Sequence, residues 1–446
     1  MSDPIRKAAI IGGGFSGAML AVRLAEQGIA SALIDRGGRF GPGLAYSTSL
    51  DAHVLNVRAN RMSAVDGRPD DFVRWLEINH PDRADPEGFA PRRLYGLYLQ
   101  DRLAAAEAAH PGRIERLTGE AVAVEGGAVR LADGRRVEAD AVVLASGNPA
   151  PTVAGGRGGR VVADPWATGA LDSIGAEDDV VILGTGLTMI DMALGLLDRG
   201  WRGRATALSR RGLAPRAHAA HHDAPVPPPP GLTAGPVSGR LAEGRRLAEE
   251  GGWRGVMEGL RPITAELWAA ADPGVRGRLL RHLRPWWDVH RHRIPAGVAG
   301  TMGALQAAGR LTLVAGRVRE VRETADGVEV IWTPRHGDAH RRSTGGWLVD
   351  CTGPGHDPIA QPLTASLIAA GRARMDALGL GLDLDDTGRA RDRDGAADPR
   401  LFVLGPPARA AFWETIAVPD IRRRIEDVVA ALTPPDGATA QVRASR

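Results

Sequence analysis

The stretch VVILGTGLTMIDMALGLL, Val180 to Leu197, decides the fold. Val180 to Leu183 is an apolar run suited to a buried parallel strand. Gly184-x-Gly186 supplies a turn. Ile190, Met192, Ala193, Leu196 and Leu197 then continue the pattern of a helix. Strand, glycine turn and helix in that order present free N–H groups and a positive dipole end to a phosphate. The same order stands at the N-terminus, in AAIIGGGFSGAMLAVRLAEQG, Ala8 to Gly28. One chain with two such units is expected to hold two nucleotides.

The two turns differ in chemistry. In the first, Gly12 permits the tight turn, Gly14 lets the backbone approach a pyrophosphate, and Gly17 lets the helix lie close to the strand. Phe15 and Ser16 open the helix. The following strand, Ala30 to Ile34, ends at Asp35, where a carboxylate accepts both hydroxyls of an adenosine ribose. An acid there, followed by Arg36, suits FAD or NAD and not NADP; the plain alternative is a glycine-rich structural turn. In the second, Leu187 and Thr188 open the helix and Met189 stands where the third glycine is expected. Its strand, Ala205 to Leu208, is followed by Ser209, Arg210 and Arg211 and by no acid. Guanidinium groups pair with a 2′-phosphate, which favours NADPH over NADH. The alternative is that both arginines are solvated surface residues.

Composition excludes several classes. The net charge is +3, and Lys7 is the single lysine, so a Schiff-base lysine and a lysine-bearing P-loop are ruled out. Cys351 is the only cysteine, which excludes an internal disulfide, a cysteine zinc site and a redox CxxC. No basic run points to nucleic acid, and no apolar run approaches a membrane span. With no signal-peptide pattern, the expected location is the cytoplasm. His218, His221 and His222 lie in a proline-rich loop without a carboxylate cluster and read as surface residues, not metal ligands.

The remaining strands order the domains. ADAVVLASGNP (Ala139 to Pro149) ends in Ser146-Gly147, and GWLVDCTGPGHDP (Gly346 to Pro358) ends in Thr352-Gly353. Strands closed by a small residue and glycine recur where flavoprotein chains cross between nucleotide domains. RLFVLGPP (Arg400 to Pro407) is closed by Gly405, and Pro419 and Asp420 mark the start of a last helix. The expectation is an α/β fold of the glutathione-reductase-like flavoprotein type, with two Rossmann-type domains, the second inserted in the first. The first spans 1–170 and 345–435 and the second 175–344, with a helical insertion at about 215–309 and a flexible tail at 436–446. The last helix would aim its positive end at the flavin pyrimidine, with Gly405, Thr415, Ile416 and Val418 as contacts. In RPWWDVHRHRIP (Arg284 to Pro295), Arg291 and Arg293 are candidates for an anionic substrate.

Longer stretches carry a family resemblance. GPGLAYSTSLDAHVLNVRANRMSAVDGRPDDFVRWL (Gly41 to Leu76), ILGTGLTMIDMAL, ALSRRGLAPRAH, WWDVHRHRIP and FWETIAVPDIRR resemble the FAD/NAD(P)-binding proteins that include bacterial flavin-dependent urate hydroxylase and aspartate N-monooxygenase. The resemblance spans nearly the whole chain. It implies FAD, NADPH or NADH, O2 as co-substrate, and a small polar substrate, a urate-like heterocycle or an amino acid or amine, hydroxylated through a C4a-(hydro)peroxyflavin. Tyr46 lies in the first of these stretches and joins Gly147 and Gly353 among the candidate cofactor contacts. More distantly, Asn56, Met62, Asp66 and Pro69 are similar to a segment of flavin-containing monooxygenases whose asparagine sits at the reactive flavin edge; Asn56 is the matching position, or else a turn-forming residue. GGRVVADPW (Gly158 to Trp166) carries Val162 where Baeyer–Villiger enzymes carry a histidine. A reductase or oxidase without oxygen transfer, and a non-catalytic flavin sensor, remain open readings. The sequence gives no sign of oligomeric state.

Overall fold

The computed structural model describes residues 5–149, 159–220, 224–355 and 357–433. The expected tail at 436–446 lies outside the described residues, as do His221 and His222.

The chain opens with β1 (Lys7–Ile11), α1 (Phe15–Glu26) and β2 (Ala30–Asp35), then α2 (Asp71–Asn79), α3 (Arg92–Ala109) and β3 (Ile114–Thr118). A small antiparallel meander follows, β4 (Ala121–Glu125), β5 (Ala128–Leu131) and β6 (Arg136–Glu138), and then β7 (Ala141–Leu144). The central region contains β8 (Val161–Val162), β9 (Val180–Leu183), α4 (Leu187–Asp198) and β10 (Ala205–Ser209). Its helical insertion holds α5 (Pro230–Thr233), α6 (Val237–Gly251), α7 (Trp253–Leu260), α8 (Thr264–Ala269), α9 (Pro273–Arg278), α10 (Arg284–Arg291) and α11 (Ala296–Ala307). Then come β11 (Leu311–Thr324), β12 (Gly327–Pro334), β13 (Arg341–Gly345) and β14 (Trp347–Asp350). The chain closes with α12 (Pro362–Ala369), β15 (Arg389–Arg391), β16 (Ala397–Val403), α13 (Arg409–Phe412) and α14 (Val418–Leu432).

These elements form two compact units: residues 1–49, 57–149 and 356–446, and residues 50–56 and 150–355. The first is built on a six-stranded sheet, β15-β16-β7-β1-β2-β3, parallel except at its β15 edge. The central strands are mostly apolar because both faces are covered, one of them by the β4–β6 meander and α12; Ala8, Ala9, Ile10, Leu33 and Val143 are fully buried. The second is built on a seven-stranded sheet, β13-β12-β11-β10-β9-β14-β8. Its β11 runs parallel to β10 along Leu311–Ala315 and antiparallel to β12 from Gly316 onward.

The expected order of a split first domain and an inserted second one is present, but the boundaries shift. β14 pairs in parallel with β9, and β8 pairs with β14, so both belong to the second unit. The second unit therefore begins before 175 and ends at 355, not 344. The reason is register: Trp347–Asp350 lies beside Val180–Leu183 as β7 lies beside β1, completing the third strand of the second nucleotide fold. Residues 50–56, read as part of the first domain, also cluster with the second unit.

Candidate functional site

The first turn is shaped by close backbone contact. Gly12 has φ +116°, and a Cβ on it would lie 2.1 Å from the carbonyl oxygen of Ala145, at the end of β7. A Cβ on Gly17 would lie 1.9 Å from the Gly12 oxygen. Only glycine lets α1 start this close to β1. Gly14 caps α1 with no side-chain bond, and the first turn holds no acid, so no capping side chain or acid of the helix's own offsets its positive dipole end. The loop 41–46 supplies the opposite wall: a Cβ on Gly43 would stand 2.8 Å from the Gly14 Cα, and Gly41 N–H donates to the Gly13 oxygen at 2.7 Å. Sequence reading missed Gly43, for which the Gly41-Pro42-Gly43 run was the available signal.

Asp35 closes the turn. Its Oδ2 accepts from Gly13 N–H at 2.9 Å, and its Oδ1 accepts from Gly37 and Arg39 N–H at 2.9 and 3.2 Å. A carboxylate offers about four acceptor positions, so room for a further hydroxyl donor remains. Arg36 is exposed beside it. Tyr46 stacks edge-on against Tyr95 at 4.6 Å, and burial pushes its hydroxyl up to about 12, so it stays protonated.

The C-terminal segment returns to this turn within the same unit. Gly405 has φ +75°, and a Cβ there would stand 2.6 Å from Ser16 Oγ. Buried Thr415 donates through Oγ1 to the Gly405 oxygen at 3.3 Å, Ile416 is exposed, and Val418 starts α14, which also has no side-chain cap. Trp413, at φ 43° and ψ −65°, is the one non-glycine residue with positive φ among the described residues. That strained position immediately precedes the Glu414–Val418 turn, and Arg409 lies 4.7 Å over its ring.

The second turn repeats the first with changes. Gly184 has φ +100°, and its Cβ would meet the Cys351 oxygen at 2.3 Å, the counterpart of Gly12 against Ala145. Gly186 caps α4 without a side-chain bond, and a Cβ on it would meet nothing within 4 Å. Met189 is fully buried in the core under the sheet and fills the space that a third glycine would leave. Thr185 Oγ1 donates to the Leu213 oxygen and accepts from the Ser209 hydroxyl at 2.8 Å, which ties the turn to the loop after β10. Arg210 on that loop is exposed, whereas Arg211 spends one N–H on the Arg281 oxygen at 3.3 Å. Leu187 and Thr188 are half-buried in the first turn of α4. Gly147 and Gly353 follow β7 and β14 with φ +71° and +101°, at equivalent places in the two units. Burial, with Asp350 and Asp191 nearby, pushes the Cys351 thiol well above its ordinary range, so it stays protonated and unreactive.

Asn56 is not grouped with the first turn. It belongs to the second unit, where its carbonyl oxygen accepts from His218 Nε2 at 2.9 Å. No group of three or more metal-ligating side chains occurs among the described residues, and none of their helices is long and apolar enough to cross a membrane.

Residues 9–149 match the FAD-NAD(P)-binding family. No curated protein sequence matches the chain. Solved structures share its fold over nearly its full length. The FAD-bound cadaverine monooxygenase of Erwinia amylovora is 15% identical with a TM-score of 0.67, covering 98% of both chains. The ornithine N-hydroxylase of Kutzneria, solved with reduced FAD, NADP+ and L-ornithine, is 16% identical with a TM-score of 0.65, over 96% of this chain and 99% of that one. The L-lysine 6-monooxygenase of Pseudomonas syringae is 16% identical with a TM-score of 0.65, over 95% and 98%. The fold is that of the flavoproteins with two dinucleotide-binding domains, as the two glycine turns led us to expect.

Proposed function

We propose that this FAD/NAD(P)-binding protein is an FAD-dependent, NADPH-consuming monooxygenase that hydroxylates a small polar substrate: an amino acid, an amine or a urate-like heterocycle. One observation carries the reading. Two uncapped helix N-termini follow positive-φ glycines, one beside a carboxylate, Asp35, and the other beside an exposed guanidinium, Arg210. The first suits the ribose of a resident FAD, and the second suits the 2′-phosphate of an exchanging NADPH. The shared fold of enzymes that hydroxylate cadaverine, ornithine and lysine supports the choice of chemistry.

The first unit fits FAD. With glycine at both positions 14 and 43, no side chain of either stands at the uncapped N-terminus of α1, which would take a pyrophosphate. Asp35 would accept an adenosine ribose hydroxyl. The N-terminus of α14, with the Thr415 and Ile416 backbone before it, would stabilise negative charge on the flavin pyrimidine edge. In the second unit, Gly184, Gly186 and the first turn of α4 would hold the NADPH pyrophosphate. Bound FAD supplies the redox chemistry, accepting a hydride from NADPH and activating O2. The chain contributes orientation, charge stabilisation and exclusion of water. Asn56, whose amide both donates and accepts, is the proposed residue at the reactive flavin edge, with His218 holding its backbone. An NADPH-dependent enzyme of this kind would work in the cytoplasm.

The test is NADPH oxidation by FAD-loaded protein against L-ornithine, L-lysine, L-aspartate, cadaverine and urate, with products weighed for one added oxygen atom. Substrate-stimulated oxidation with an oxygenated product is expected. Oxidation that no compound stimulates, with all electrons recovered as hydrogen peroxide, would refute the reading in favour of an oxidase.

A further inference from the structure

We propose that Arg254 and Arg293, with Arg291 beside them, form an anion-recognition site that binds the carboxylate, or an equivalent planar oxyanion, of the substrate. The inference rests on the monooxygenase reading for the word substrate, and on geometry within the second unit for the site.

Arg254 stands at the start of α7, Glu258 follows one turn later, and Arg291 ends α10, two residues before Arg293. Arg293 is 5% exposed and Arg291 8%. Trp253 organises them: the guanidinium carbons of Arg254 and Arg293 lie 4.5 and 5.7 Å from its ring centre. Stacking on a ring fixes the plane of a guanidinium and leaves its N–H groups to donate at the edge. Arg254 uses one Nη2–H on the Ala217 oxygen at 3.0 Å, and Arg293 pairs through Nη2 with Glu258. The Nε atoms of both Arg254 and Arg293 are buried without a hydrogen-bond partner.

Glu258 and two further guanidinium groups, Arg291 and Arg254, act on Arg293. Burial comes first in pulling Arg293 below its usual range, the two arginines add to it, and Glu258 opposes it. Buried donors left unsatisfied beside like charge are costly, and a planar oxyanion that accepts two parallel N–H bonds relieves both defects. A diamine offers no such group.

The position is informative. Ala217, which holds Arg254, pairs with Ile294, next to Arg293. The following residue, His218, donates to the Asn56 oxygen. The Arg254 guanidinium therefore bonds the residue just before the histidine that holds the proposed flavin-edge residue. An anion bound there would tether the substrate beside the segment that carries Asn56.

The experiment is calorimetric titration of FAD-loaded protein, without NADPH, by L-aspartate, L-ornithine, urate, cadaverine and NADP+. Wild type should bind at least one of the three oxyanion-bearing compounds. Arg254→Met and Arg293→Met should weaken that binding tenfold or more, and Arg254→Lys should fall between, because it keeps the charge and loses the fork. Far-UV circular dichroism and FAD content identify any variant that fails to fold; Arg254→Met, which orphans no carboxylate, is the deciding one. The proposal is overturned if no oxyanion binds, if Arg254→Met binds it like wild type, or if only NADP+ affinity falls. Oxyanion binding lost in Arg254→Met but never followed by oxygen transfer would leave this site standing and remove the monooxygenase reading.

Discussion

Gly17→Ala is the sharpest perturbation of the proposed flavin turn. The new Cβ would lie 1.9 Å from the Gly12 oxygen and 3.1 Å from Ile10 Cγ2. An ordinary carbon–oxygen contact is about 3.3 Å, so roughly 1.4 Å of overlap must be relieved against backbone that cannot rotate away. Either α1 moves off β1 or Gly12 changes conformation, and Gly12 is itself pinned against the Ala145 oxygen. Overpacking of this kind costs about 1–3 kcal/mol of stability. The larger effect is on cofactor. Hydrogen bonds from the α1 N-terminus to a phosphate weaken steeply once donors retreat by an ångström, and losing one or two charge-assisted bonds amounts to about 1.5–3 kcal/mol each. FAD affinity should therefore fall by at least tenfold. The assay is retained FAD per protein after gel filtration, paired with thermal denaturation of the stripped protein. A variant that keeps wild-type flavin content and melting temperature would refute the claim that α1 must lie in contact with β1 for the site to work.

Other outcomes follow from the same geometry. Gly186→Ala meets nothing within 4 Å, so the melting temperature should not change, while the NADPH KM rises several-fold as the methyl occupies the phosphate approach. Arg210→Ala should raise the NADPH KM roughly 5–30-fold with little change for NADH, and Arg211→Ala should do less because one of its donors is already engaged; steady-state kinetics with both cofactors decides. Asp140 accepts from the Arg6 and Lys7 N–H groups at 2.7 and 2.9 Å; burial acts against its carboxylate, but these bonds win and hold its pKa below the ordinary value. That stabilisation is present above the unfolded pKa and lost as pH falls through the folded one. Asp140→Asn should therefore destabilise most at neutral pH, by about 1 kcal/mol, with the difference from wild type shrinking below about pH 4 in urea titrations.

Much of the architecture could be read from residue order. The positive-φ positions of Gly12 and Gly184 and the apolar strands before them are local, and local pattern reports them. Met189 was legible as a departure, and its burial supplies the reason: a helix–sheet gap that a side chain fills. The domain boundary was less legible. Trp347–Asp350 reads as a buried apolar strand under either assignment, and only its pairing with β9 decides which sheet it joins. Gly43 was missed because its role depends on meeting Gly14 across the turn, a contact between residues far apart in sequence. The bond from His218 to the Asn56 oxygen was not legible either, because it joins residues far apart in sequence. Trp413 gave no signal, since a strained dihedral is imposed by packing on both sides and not by residue type.

The placement of β16 bears on how the chain is made. β7 is apolar along its whole length and pairs with β1 on one side and β16 on the other. About 250 residues separate Leu144 from Ala397, and domains tend to fold as units while the N-terminal part of a chain emerges first. During synthesis β7 is thus an open apolar edge, a template for pairing with another nascent chain, until the C-terminal strand arrives. A chain truncated after Gly355 retains every residue of both glycine turns and should nonetheless aggregate.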